Sequence, residues 1–549
     1  MPSHDAGQCK ILLVEDSPEL LRMLKRMLAS EGYLVQTATT RDDALSRIMA
    51  ERFHVAVIDA RLDQHNPYNY DGFQLMQDLR GIDPSTGVVL LTETADLEIV
   101  REALYAVSGE MDPVFEIPRT SASAFLEKTP KNLRLLIDCV RNVLAEVVHI
   151  NWGLQIIDGE QFIKQIPRRM RFQNSPDVSR LQEELEELLR KLFYDWDKIE
   201  LRTIDHQNQG YSQAFVFQVT PLDCDGGCPV IIAKIGECSM IEREVRRYRN
   251  YLEHYAAGSR NPSAITSVRR TRTLGGMVYA FDGLRGEIRD FSQFFHNTKD
   301  RALIGEVIAN LFINTLSVQH SGKRTVRRNI NLRSVYEPLL RLTPDELQAK
   351  LDELVAIARS VGRSTLSEKF FLPEVQLMNP VDYALTGNFM GSYIEATIHG
   401  DLHTHTVLID KCNDTWLVDF ANTGKGPLLQ DYIAFEASLL IENNECPPGR
   451  PLFEWSQALF GQPGELFPRL PPKLAENADV AKMHHAVLTV RRLAYHELRG
   501  EQANRTYLIG LFFTTLRMMS VKFLTPPKRF QALTLAALIA ENLLALETS

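Results

Sequence analysis

The sequence predicts two architectures in one chain: an α/β, doubly wound parallel five-stranded sheet at the N-terminus and an α+β region after it. Up to about residue 148, five short apolar runs alternate with five amphipathic stretches. From about residue 200, strand-like runs come first and helical stretches fill most of the remaining chain. With 549 residues and roughly 100–200 residues per domain, the chain is expected to hold about two to four domains.

The N-terminal elements alternate strictly. The apolar runs are KILLVED, YLVQTA, VAVIDA, VVLLTE and AFLEK, and the helical stretches are PELLRMLKRMLASEG, TRDDALSRIMAER, DGFQLMQDLR, LEIVREALYAV and NLRLLIDCVRNVLAEVV. Such alternation is typical of parallel strands with helices on both faces of the sheet. Functional side chains are therefore expected at the carboxyl ends of the strands, where sheets of this kind bind ligands.

Sequence patterns divide the rest of the chain into a linker, a small sheet and a helical region. Residues 149–200 are expected to be a helical linker, because apolar residues at 181, 185, 188, 189 and 192 form one helical stripe. YSQAFVFQV and VIIAKI, separated by the turn-rich PLDCDGGCP, predict an antiparallel hairpin within 201–283. Residues 284–549 are expected to be mostly helical, interrupted by the strand–loop–strand stretch IHGDLHTHTVLIDKCNDTWLVDFA.

Composition narrows the classes of function. The formal net charge of −9 argues against a chain-wide role on nucleic acid or anionic membranes. Seven scattered cysteines indicate reduced thiols, and the polar start MPSHDAGQCK predicts that no signal peptide opens the chain. The longest apolar runs reach about half of the ~20 residues that span a bilayer, so they predict buried helices. We therefore expect a cytoplasmic protein without nucleic-acid or membrane partners.

Polar side chains stand at the ends of four of the five N-terminal strands. Glu15 and Asp16 follow the first strand, Asp59 the third, Thr92 the fourth and Lys128 the fifth. Three carboxylates on one rim suit a hard cation such as Mg²⁺, and with the metal bound one of them can attack phosphorus. The hydroxyl and the ammonium can then hold the phosphoryl oxygens. The sequence therefore predicts a site that accepts a phosphoryl group.

This pattern resembles the receiver domain of two-component response regulators over about residues 9–148. The resemblance implies that Asp59 is the phospho-acceptor, that Glu15 and Asp16 hold Mg²⁺ beside it, and that a sensor histidine kinase is the phosphoryl donor. It also allows a homodimer, since receiver domains often pair through their last elements.

The resemblance also assigns switch residues. Thr92 and Lys128 would take this role, with Phe125 as the rotating aromatic. The sequence departs from the family in a longer loop at 61–70, in the insertion GEMDPVFEIPRTSAS, and in Thr129, where a proline usually follows the lysine.

A second group of candidate residues lies beyond residue 205. Gly210 and Ser212 open the hairpin in a turn too poor in glycine to predict a phosphate loop by itself, and Lys234 lies in the strand-like run IIAKI. Glu244 flanks the apolar face of the next helix more closely than Glu242 does, so we expect Glu244 to pair with Lys234.

The strongest signal in this region is HGDLHTHTVLID, which contains Asp401, followed by Asp419 in WLVDFANTGKGP. Phosphoryl transfer needs one carboxylate at the acceptor hydroxyl and another on the Mg²⁺ that binds the nucleotide phosphates. Asp401 and Asp419, near the ends of paired short strands, can supply both.

Together these residues resemble the aminoglycoside-phosphotransferase-like branch of the protein-kinase fold over about 200–549. The match is closest to the ternary-complex-associated type found beside signalling modules in bacterial conflict systems. The resemblance implies a bilobal kinase-like domain that binds ATP and Mg²⁺, with an N-lobe at 201–283 and a helical C-lobe at 284–549. An adenine hinge would lie near Tyr279–Gly283, and 325–395 would be an acceptor- or partner-binding insertion.

The resemblance also implies residue roles in the second region. Asp401 would be the catalytic base, Asp419 the metal ligand and Asp431 a structural acid, while Lys234 and Glu244 would orient the nucleotide phosphates. Thr406 replaces the metal-binding Asn of the family, and a hydroxyl is the weaker ligand.

Two hypotheses about function therefore stand. The first is an ATP-dependent phosphotransferase controlled by Asp59, acting on an unidentified protein or small-molecule acceptor. The second is a receiver-controlled pseudokinase scaffold that binds nucleotide or protein partners without catalysis, and the replacement at Thr406 favours it.

Three further patterns have simpler explanations beside functional ones. His399, His403 and His405, with Cys412 or Asp419, have ligand types suited to zinc, although the kinase-like motif already accounts for His399. Cys224 and Cys228 fit a solvent-facing turn, and the basic run Arg324–Arg328 fits an exposed helix.

Overall fold

The computed structural model describes the chain except at residues 1–7, 64–65, 67–68, 93–111, 116, 118–121, 171–176, 205–213, 223–230, 257–262, 282–287, 323, 361–368, 373–374, 445–449, 498–502, 522–523 and 549. Two compact units are present. The first comprises Met1–Thr203, Ser212–Arg243 and Ile265–Ala280, and the second comprises Ile204–Tyr211, Glu244–Ala264 and Phe281–Ser549. Each unit is thus assembled from several segments of the chain.

A five-stranded parallel sheet opens the first unit. Its strands are β1 (Lys10–Val14), β2 (Leu34–Ala38), β3 (Val55–Asp59), β4 (Gly87–Thr92) and β5 (Ala124–Glu127), in the order β2-β1-β3-β4-β5. The helices around it are α1 (Pro18–Ser30), α2 (Arg41–Ala50), α3 (Asp71–Ile82), α4 (Pro130–Leu133) and α5 (Leu136–Val143), which continues as a π-helical turn at Leu144–Val148. The predicted parallel sheet is confirmed, and the predicted helix LEIVREALYAV lies outside the described residues.

Alternating side chains of the central strands give the sheet two cores. Ile11 and Leu13 of β1 pack with residues of α1 and α5 on one face, whereas Leu12 and Val14 pack with residues of α2 and α3 on the other. Successive residues of a strand point to opposite faces, so a strand that is apolar at every position is buried on both sides. This is the physical basis of the doubly wound architecture.

A second sheet of six strands completes the first unit. It contains β6 (Gln155–Ile157), β7 (Lys198–Thr203), β8 (Phe215–Pro221), β9 (Ile231–Glu237), β10 (Ser263–Arg270) and β11 (Leu274–Phe281), in the order β10-β11-β9-β8-β7-β6. Strands β8 and β9 are antiparallel, which confirms the predicted hairpin. The associated helices of this unit are α6 (Gly159–Arg169) and α7 (Val178–Leu192). Helix α8 (Cys238–Tyr251) begins in the first unit and continues in the second, and α9 (Glu253–Ala256) belongs to the second.

The structure differs from the expected linker at 149–200. Strands β6 and β7 from this stretch join the six-stranded sheet, and the leucine stripe of α7 is buried in one core with residues of β8, β9 and β11. The sequence pattern located the stripe correctly, but it could not show that the partner of the stripe comes from residues more than 20 positions away.

The second unit is largely helical with two small sheets and one hairpin. Its strands are β12 (Arg289–Asp290), β13 (Thr325–Asn331), β14 (Lys369–Leu372), β15 (Val375–Met378), β16 (Met390–Ile398), β17 (Val407–Ile409), β18 (Thr415–Leu417) and β19 (Gly424–Pro427). They form the sheets β12-β17-β18 and β13-β16-β19 and the hairpin β14-β15. The antiparallel pair β17–β18 confirms the predicted strand–loop–strand stretch. The basic run Arg324–Arg328 lies mostly on edge strand β13 and not on a helix.

Besides α9, twelve described α-helices lie wholly in the second unit. They are α10 (Phe291–Asn297), α11 (Arg301–Asn310), α12 (Ser317–Ser321), α13 (Arg333–Leu340), α14 (Pro344–Ser360), α15 (Pro380–Thr386), α16 (Gln430–Ile441), α17 (Arg450–Phe460), α18 (Pro472–Ala475), α19 (Ala478–Glu497), α20 (Ala503–Met519) and α21 (Pro526–Thr548), with a π-helical turn at Leu311–Thr315. Helix α21 has the length and composition of a membrane span, although 61% of its apolar window is buried inside the protein. Core helices share that composition, so it is weak support for a membrane span.

Candidate functional site

Three carboxylates meet at the carboxyl edge of the parallel sheet. Glu15 follows β1, Asp16 comes next, and Asp59 ends β3. One oxygen from each carboxylate lies within 4.8 Å of the others. Among the residues that the structure describes, no second group of three His, Cys, Asp or Glu side chains lies as close together. Parallel strands bring their carboxyl ends to one edge, so residues 44 positions apart in sequence become neighbours.

Lys128 joins two of these carboxylates. Its ammonium lies 2.6 Å from Asp59 Oδ2 and 2.8 Å from Glu15 Oε2. The backbone N–H of Lys128 donates to the carbonyl of Thr92 at 2.6 Å, which ties the end of β5 to the end of β4. Carboxylate oxygens this close together are the ligands that a divalent cation such as Mg²⁺ prefers.

Burial makes the charge on these carboxylates costly. The pKa of Glu15 is raised to about 7, chiefly by burial and then by the neighbouring Asp59, while Lys128 opposes the shift. Burial also raises the pKa of Asp59, against the opposing effect of Lys128. Lys128 has a raised pKa because the two carboxylates outweigh the lowering effect of its own burial. The buried carboxylates therefore repel one another, and a bound cation would reduce this repulsion.

The predicted switch residues lie where the sequence placed them. Thr92 is buried at the end of β4, and Phe125 is partly buried on β5, where it packs against the core shared with α2 and α3. Sequence reasoning did not identify Gly72. A Cβ at Gly72 would lie 1.7 Å from the carbonyl oxygen of Asp59, so only glycine lets the first turn of α3 approach Asp59 this closely.

The second candidate site is a loop of the second unit organised by Asp431. This carboxylate is fully buried and accepts hydrogen bonds from the backbone N–H groups of His399 at 2.9 Å and Gly400 at 3.0 Å. His320, which the sequence did not single out, donates to it at 2.8 Å. Burial would raise the pKa of Asp431, but these hydrogen bonds and the nearby histidines hold it below its usual value. Asp431 therefore holds the loop that ends at Asp401.

Asp401 and Asp419 have distinct surroundings. Asp401 is exposed, and one of its oxygens accepts a hydrogen bond from the Asn422 side chain at 2.9 Å. Asp419 adopts a positive φ of 71°, a left-handed conformation that costs a non-glycine residue about 1–3 kcal/mol and that clusters at functional sites. Asn422 is a contact that sequence spacing alone could not reveal, since it depends on the approach of two loops.

Glu244 belongs to this second unit and contacts the segment after Asp419. Its carboxylate accepts the backbone N–H of Phe420 at 2.9 Å, and it is 1% exposed. Lys234 is buried on β9 in the first unit, so its predicted ion pair with Glu244 stays a prediction. Gly210 and Ser212 lie outside the described residues.

The hydroxyl of Thr406 is engaged by its own loop. It accepts the backbone N–H of His403 at 3.0 Å and donates to the His403 carbonyl at 2.9 Å. The neighbouring histidine rings are also engaged: His399 Nε2 lies 3.1 Å from the Val418 carbonyl, and His405 Nδ1 lies 2.8 Å from Asp290. Within the described residues, the three histidines do not form the zinc cluster that the sequence allowed.

Comparison with known proteins identifies the N-terminal domain. A family model described as the response regulator receiver domain matches residues 11–111. The transcriptional regulatory protein GlrR of Escherichia coli is 35% identical over 82 residues, covering 15% of this chain and 17% of the relative. The alginate biosynthesis transcriptional regulatory protein AlgB of Pseudomonas putida is 29% identical over 110 residues, covering 20% of this chain and 23% of the relative. The match therefore spans about a fifth of the length of these curated relatives.

Solved structures match about a quarter of the chain. A CheY-like receiver domain protein from Methanospirillum hungatei is 27% identical and covers 25% of this chain and 94% of its own, with a TM-score of 0.21. The response regulator TrrA of Thermotoga maritima, in complex with Mg²⁺–BeF, is 22% identical and covers 25% of this chain and 100% of its own, with a TM-score of 0.20. The N-terminal domain is a response regulator receiver domain, on the strength of the family match and the sheet order.

Proposed function

We propose that this protein is a cytoplasmic response regulator in which phosphorylation of Asp59 controls a kinase-like, ATP-dependent phosphotransferase domain. A sensor histidine kinase supplies the phosphoryl group. Glu15, Asp16 and Asp59 hold Mg²⁺, and the carboxylate of Asp59 attacks the phosphorus. The observation that carries the receiver part is the cluster of three buried or half-buried carboxylates, two of which contact the ammonium of Lys128.

The arrangement around Asp431 supports the kinase-like part. A buried acid holds the backbone of His399 and Gly400 and thereby orients the exposed Asp401, which can accept the proton of an acceptor hydroxyl. Asp419, the assigned metal ligand, has a left-handed backbone conformation of the kind that clusters at functional sites. The next residue, Phe420, is held by Glu244 through its backbone N–H. Lys234 would bind the nucleotide phosphates.

The second candidate function is a pseudokinase scaffold, and Thr406 favours it. Its hydroxyl is bonded to both backbone groups of His403, so binding a second metal ion at Thr406 would require breaking this turn. The scaffold would bind Mg²⁺–ATP through Asp419, or a protein partner, without transferring phosphate.

Calorimetry of the full-length protein with Mg²⁺–ATP separates the two functions. We expect binding to be lost in Asp419→Ala, because Asp419 is the assigned metal ligand, and to be retained in Asp401→Ala, which touches only the acceptor. Asp414→Asn, on the turn between β17 and β18, is the control and should bind as the parent does. The enzyme further predicts labelled phosphate transfer that Asp401→Ala removes.

The variant Thr406→Asn tests whether only one metal ligand has been lost. It should raise transfer if the enzyme is weakened solely at this position, and Thr406→Ser, which keeps the hydroxyl, should behave as the parent protein. Binding without transfer in every variant supports the scaffold. Absence of heat with Mg²⁺–ATP in the parent protein would remove the nucleotide from both proposals.

A further inference from the structure

A buried ionic cluster lies at the amino end of the parallel sheet. The opposite, carboxyl end carries Glu15, Asp16 and Asp59, which we call the acidic rim. Arg52, just before β3, contacts two carboxylates from different elements. Its Nε lies 3.2 Å from Asp83 at the end of α3, and its Nη1 lies 2.8 Å from Glu187 on α7. A second guanidinium nitrogen reaches Glu187 at 3.2 Å. The guanidinium of Arg52 therefore links α3, which packs on the parallel sheet, to α7, which packs on the six-stranded sheet.

Further contacts hold Glu187 in this cluster. Lys191 lies 2.7 Å from Glu187, and the imidazole of His54 lies 3.8 Å away. Burial alone would raise the pKa of Glu187, but the charges of Arg52 and Lys191 hold it well below its usual value. Breaking one member of a buried ion pair is strongly destabilising because the other charge stays buried without compensation.

The C-terminal end of α2 contributes a second set of contacts between the same parts. The guanidinium of Arg180 on α7 donates to the carbonyl of Ala50 at 2.8 Å, and Arg272 from the turn before β11 donates to the carbonyl of Ile48 at 3.0 Å. Cations are favourable at a helix C-terminus, where the last carbonyls lack partners within the helix. The receiver domain is therefore docked on the six-stranded sheet.

Glu184, one turn before Glu187 on the same face of α7, binds the turn between β10 and β11. Glu184 accepts hydrogen bonds from the backbone N–H groups of Thr273 at 2.7 Å and Leu274 at 3.3 Å, and from the hydroxyl of Thr271 at 2.5 Å. A Cβ at Gly276 would lie 2.6 Å from Leu192, so α7 packs tightly against β11. Strand β11 pairs with β9 and places Met277 opposite Lys234.

Helix α3 connects the acidic rim to the ionic cluster. Its first turn touches the carbonyl of Asp59 at Gly72, and its C-cap is Asp83. With 1.5 Å of rise per residue, its 12 residues span about 18 Å. A rigid helix of this length carries a displacement at the phospho-acceptor to the carboxylate that shares Arg52 with Glu187.

We propose that Arg52 is a relay through which the phosphorylation state of Asp59 reaches α7 and the turn at Thr271–Leu274. Phosphorylation moves the first turn of α3, Asp83 moves with the helix, and the balance of Arg52 between Asp83 and Glu187 changes. Helix α7 then shifts the turn bonded to Glu184 and, with it, the strand beside Lys234. This regulation rests on phosphorylation of Asp59 within the proposed function, and it does not require the kinase-like domain to transfer phosphate.

Hydrogen exchange of the full-length protein tests the relay. Beryllofluoride with Mg²⁺ mimics the phosphoryl group, and its bound ¹⁹F signal reports occupancy of the receiver independently of any relay. With the mimic bound, the exchange rates of the Thr273 and Leu274 amides should change by about fivefold or more, the lower end of typical coupling between sites. Glu187→Gln should remove this change while keeping the ¹⁹F signal.

The chain offers a matched control one residue away. Glu186→Gln removes the same charge from the same helix, where Glu186 pairs with Arg190 of α7 itself, and it should respond as the parent does. Arg52→Lys keeps the positive charge but lacks the guanidinium that binds Asp83 and Glu187 together. It should lower the change in exchange at Thr273 and Leu274, and it tests the relay even if Glu187→Gln fails to fold.

Three outcomes overturn the proposal. The first is a bound ¹⁹F signal in the parent protein with unchanged exchange at Thr273 and Leu274. The second is a full response in Glu187→Gln or Arg52→Lys. The third, no bound ¹⁹F signal in the parent protein, also removes the receiver part of the proposed function and so differs from failure of the relay alone.

Discussion

The two ends of the parallel sheet each carry a buried charged cluster, but their glutamates have pKa values shifted in opposite directions. At the carboxyl end, Glu15 and Asp59 both contact the ammonium of Lys128, with Asp16 beside them. At the amino end, Arg52 and Lys191 both contact Glu187, and Arg52 also contacts Asp83. The pKa of the nearby His54 is lowered to about 4, chiefly by burial, so this imidazole is neutral at pH 7.

The difference distinguishes a ligand site from a structural contact. A buried carboxylate whose ion pairs outweigh its desolvation stays charged without anything bound, whereas one whose desolvation prevails is stabilised by a bound cation or a proton. The raised pKa of Glu15, at about 7, is the signature of the second case, and the strongly lowered pKa of Glu187 is the signature of the first.

The largest expected effect concerns chemistry at the carboxyl end. Acetyl phosphate or a phosphohistidine donor with Mg²⁺ should label the parent protein, and Asp59→Asn should abolish labelling because an amide is not the nucleophile that a carboxylate is. Asp78→Asn, on the surface of α3, is the control. Equal labelling of Asp59→Asn and the parent protein would place the phospho-acceptor elsewhere.

Removing one negative charge should have opposite signs at the two ends. Glu187→Gln is expected to destabilise the first unit by about 3–5 kcal/mol, because Arg52 and Lys191 lose their shared partner in a buried position. Glu15→Gln is expected to stabilise the Mg²⁺-free protein at pH 8 by about 1–2 kcal/mol, because it relieves repulsion from Asp59. Urea unfolding followed by tryptophan fluorescence measures both. If both variants changed the free energy of unfolding in the same direction, the charges around the two glutamates would not distinguish the two ends of the sheet.

The amino end should lose stability in mild acid through His54. Its Nδ1 accepts the backbone N–H of Lys10 at 2.9 Å, and its folded pKa of about 4 lies below the ordinary value of 6.5. Above pH 6.5 neither state binds the proton, and between pH 6.5 and 4 only the unfolded state does, so stability falls as pH falls.

Between pH 7 and pH 5 this loss should amount to about 2 kcal/mol. It is measured as the difference in urea midpoint between the parent protein and His54→Gln at each pH. His484 has a similarly lowered pKa but is present in both proteins and cancels. A difference that does not vary with pH would contradict a neutral, buried His54.

The smallest expected effects separate the two ends of α3. Gly72→Ala should destabilise the protein by about 1–2 kcal/mol, because its Cβ would overlap the Asp59 carbonyl and force the helix to move. Gly81→Ala, where a Cβ meets nothing within 4 Å, should be neutral or stabilise by up to about 1 kcal/mol through helix propensity. Thermal unfolding compares them, and equal effects would mean that the close approach at Asp59 is not a constraint.

The acidic rim was predictable from the sequence because every member ends a strand of one parallel sheet. The order of the strands then brings Glu15, Asp59 and Lys128 together independently of the loop conformations. Gly72 was not identified, because a close approach between helix and strand leaves no periodic pattern. Arg52 and Glu187 were missed for a related reason: they are 135 residues apart, and nothing in either local pattern marks a buried partner.

The loop around Asp401 was predictable only in part. The short strands and the choice of Glu244 followed from motif and helix periodicity, and the structure gives Glu244 a contact with Phe420. The hydrogen bonds from Asn422 to Asp401 and from His320 to Asp431 join segments that only the tertiary fold brings together. The bonding of Thr406 to His403 likewise depends on the loop conformation.

In the proposed function, phosphorylation at Asp59 is coupled to a nucleotide site formed with Asp419. A calorimetric titration of the full-length protein with Mg²⁺–ATP, with and without saturating beryllofluoride, measures this coupling. We expect the Kd for nucleotide to change by about fivefold or more, and ATP to shift the Kd for beryllofluoride by the same factor, since coupling is reciprocal. Two titration curves that superimpose would contradict it and leave a receiver domain that is attached to, but does not control, the rest of the chain.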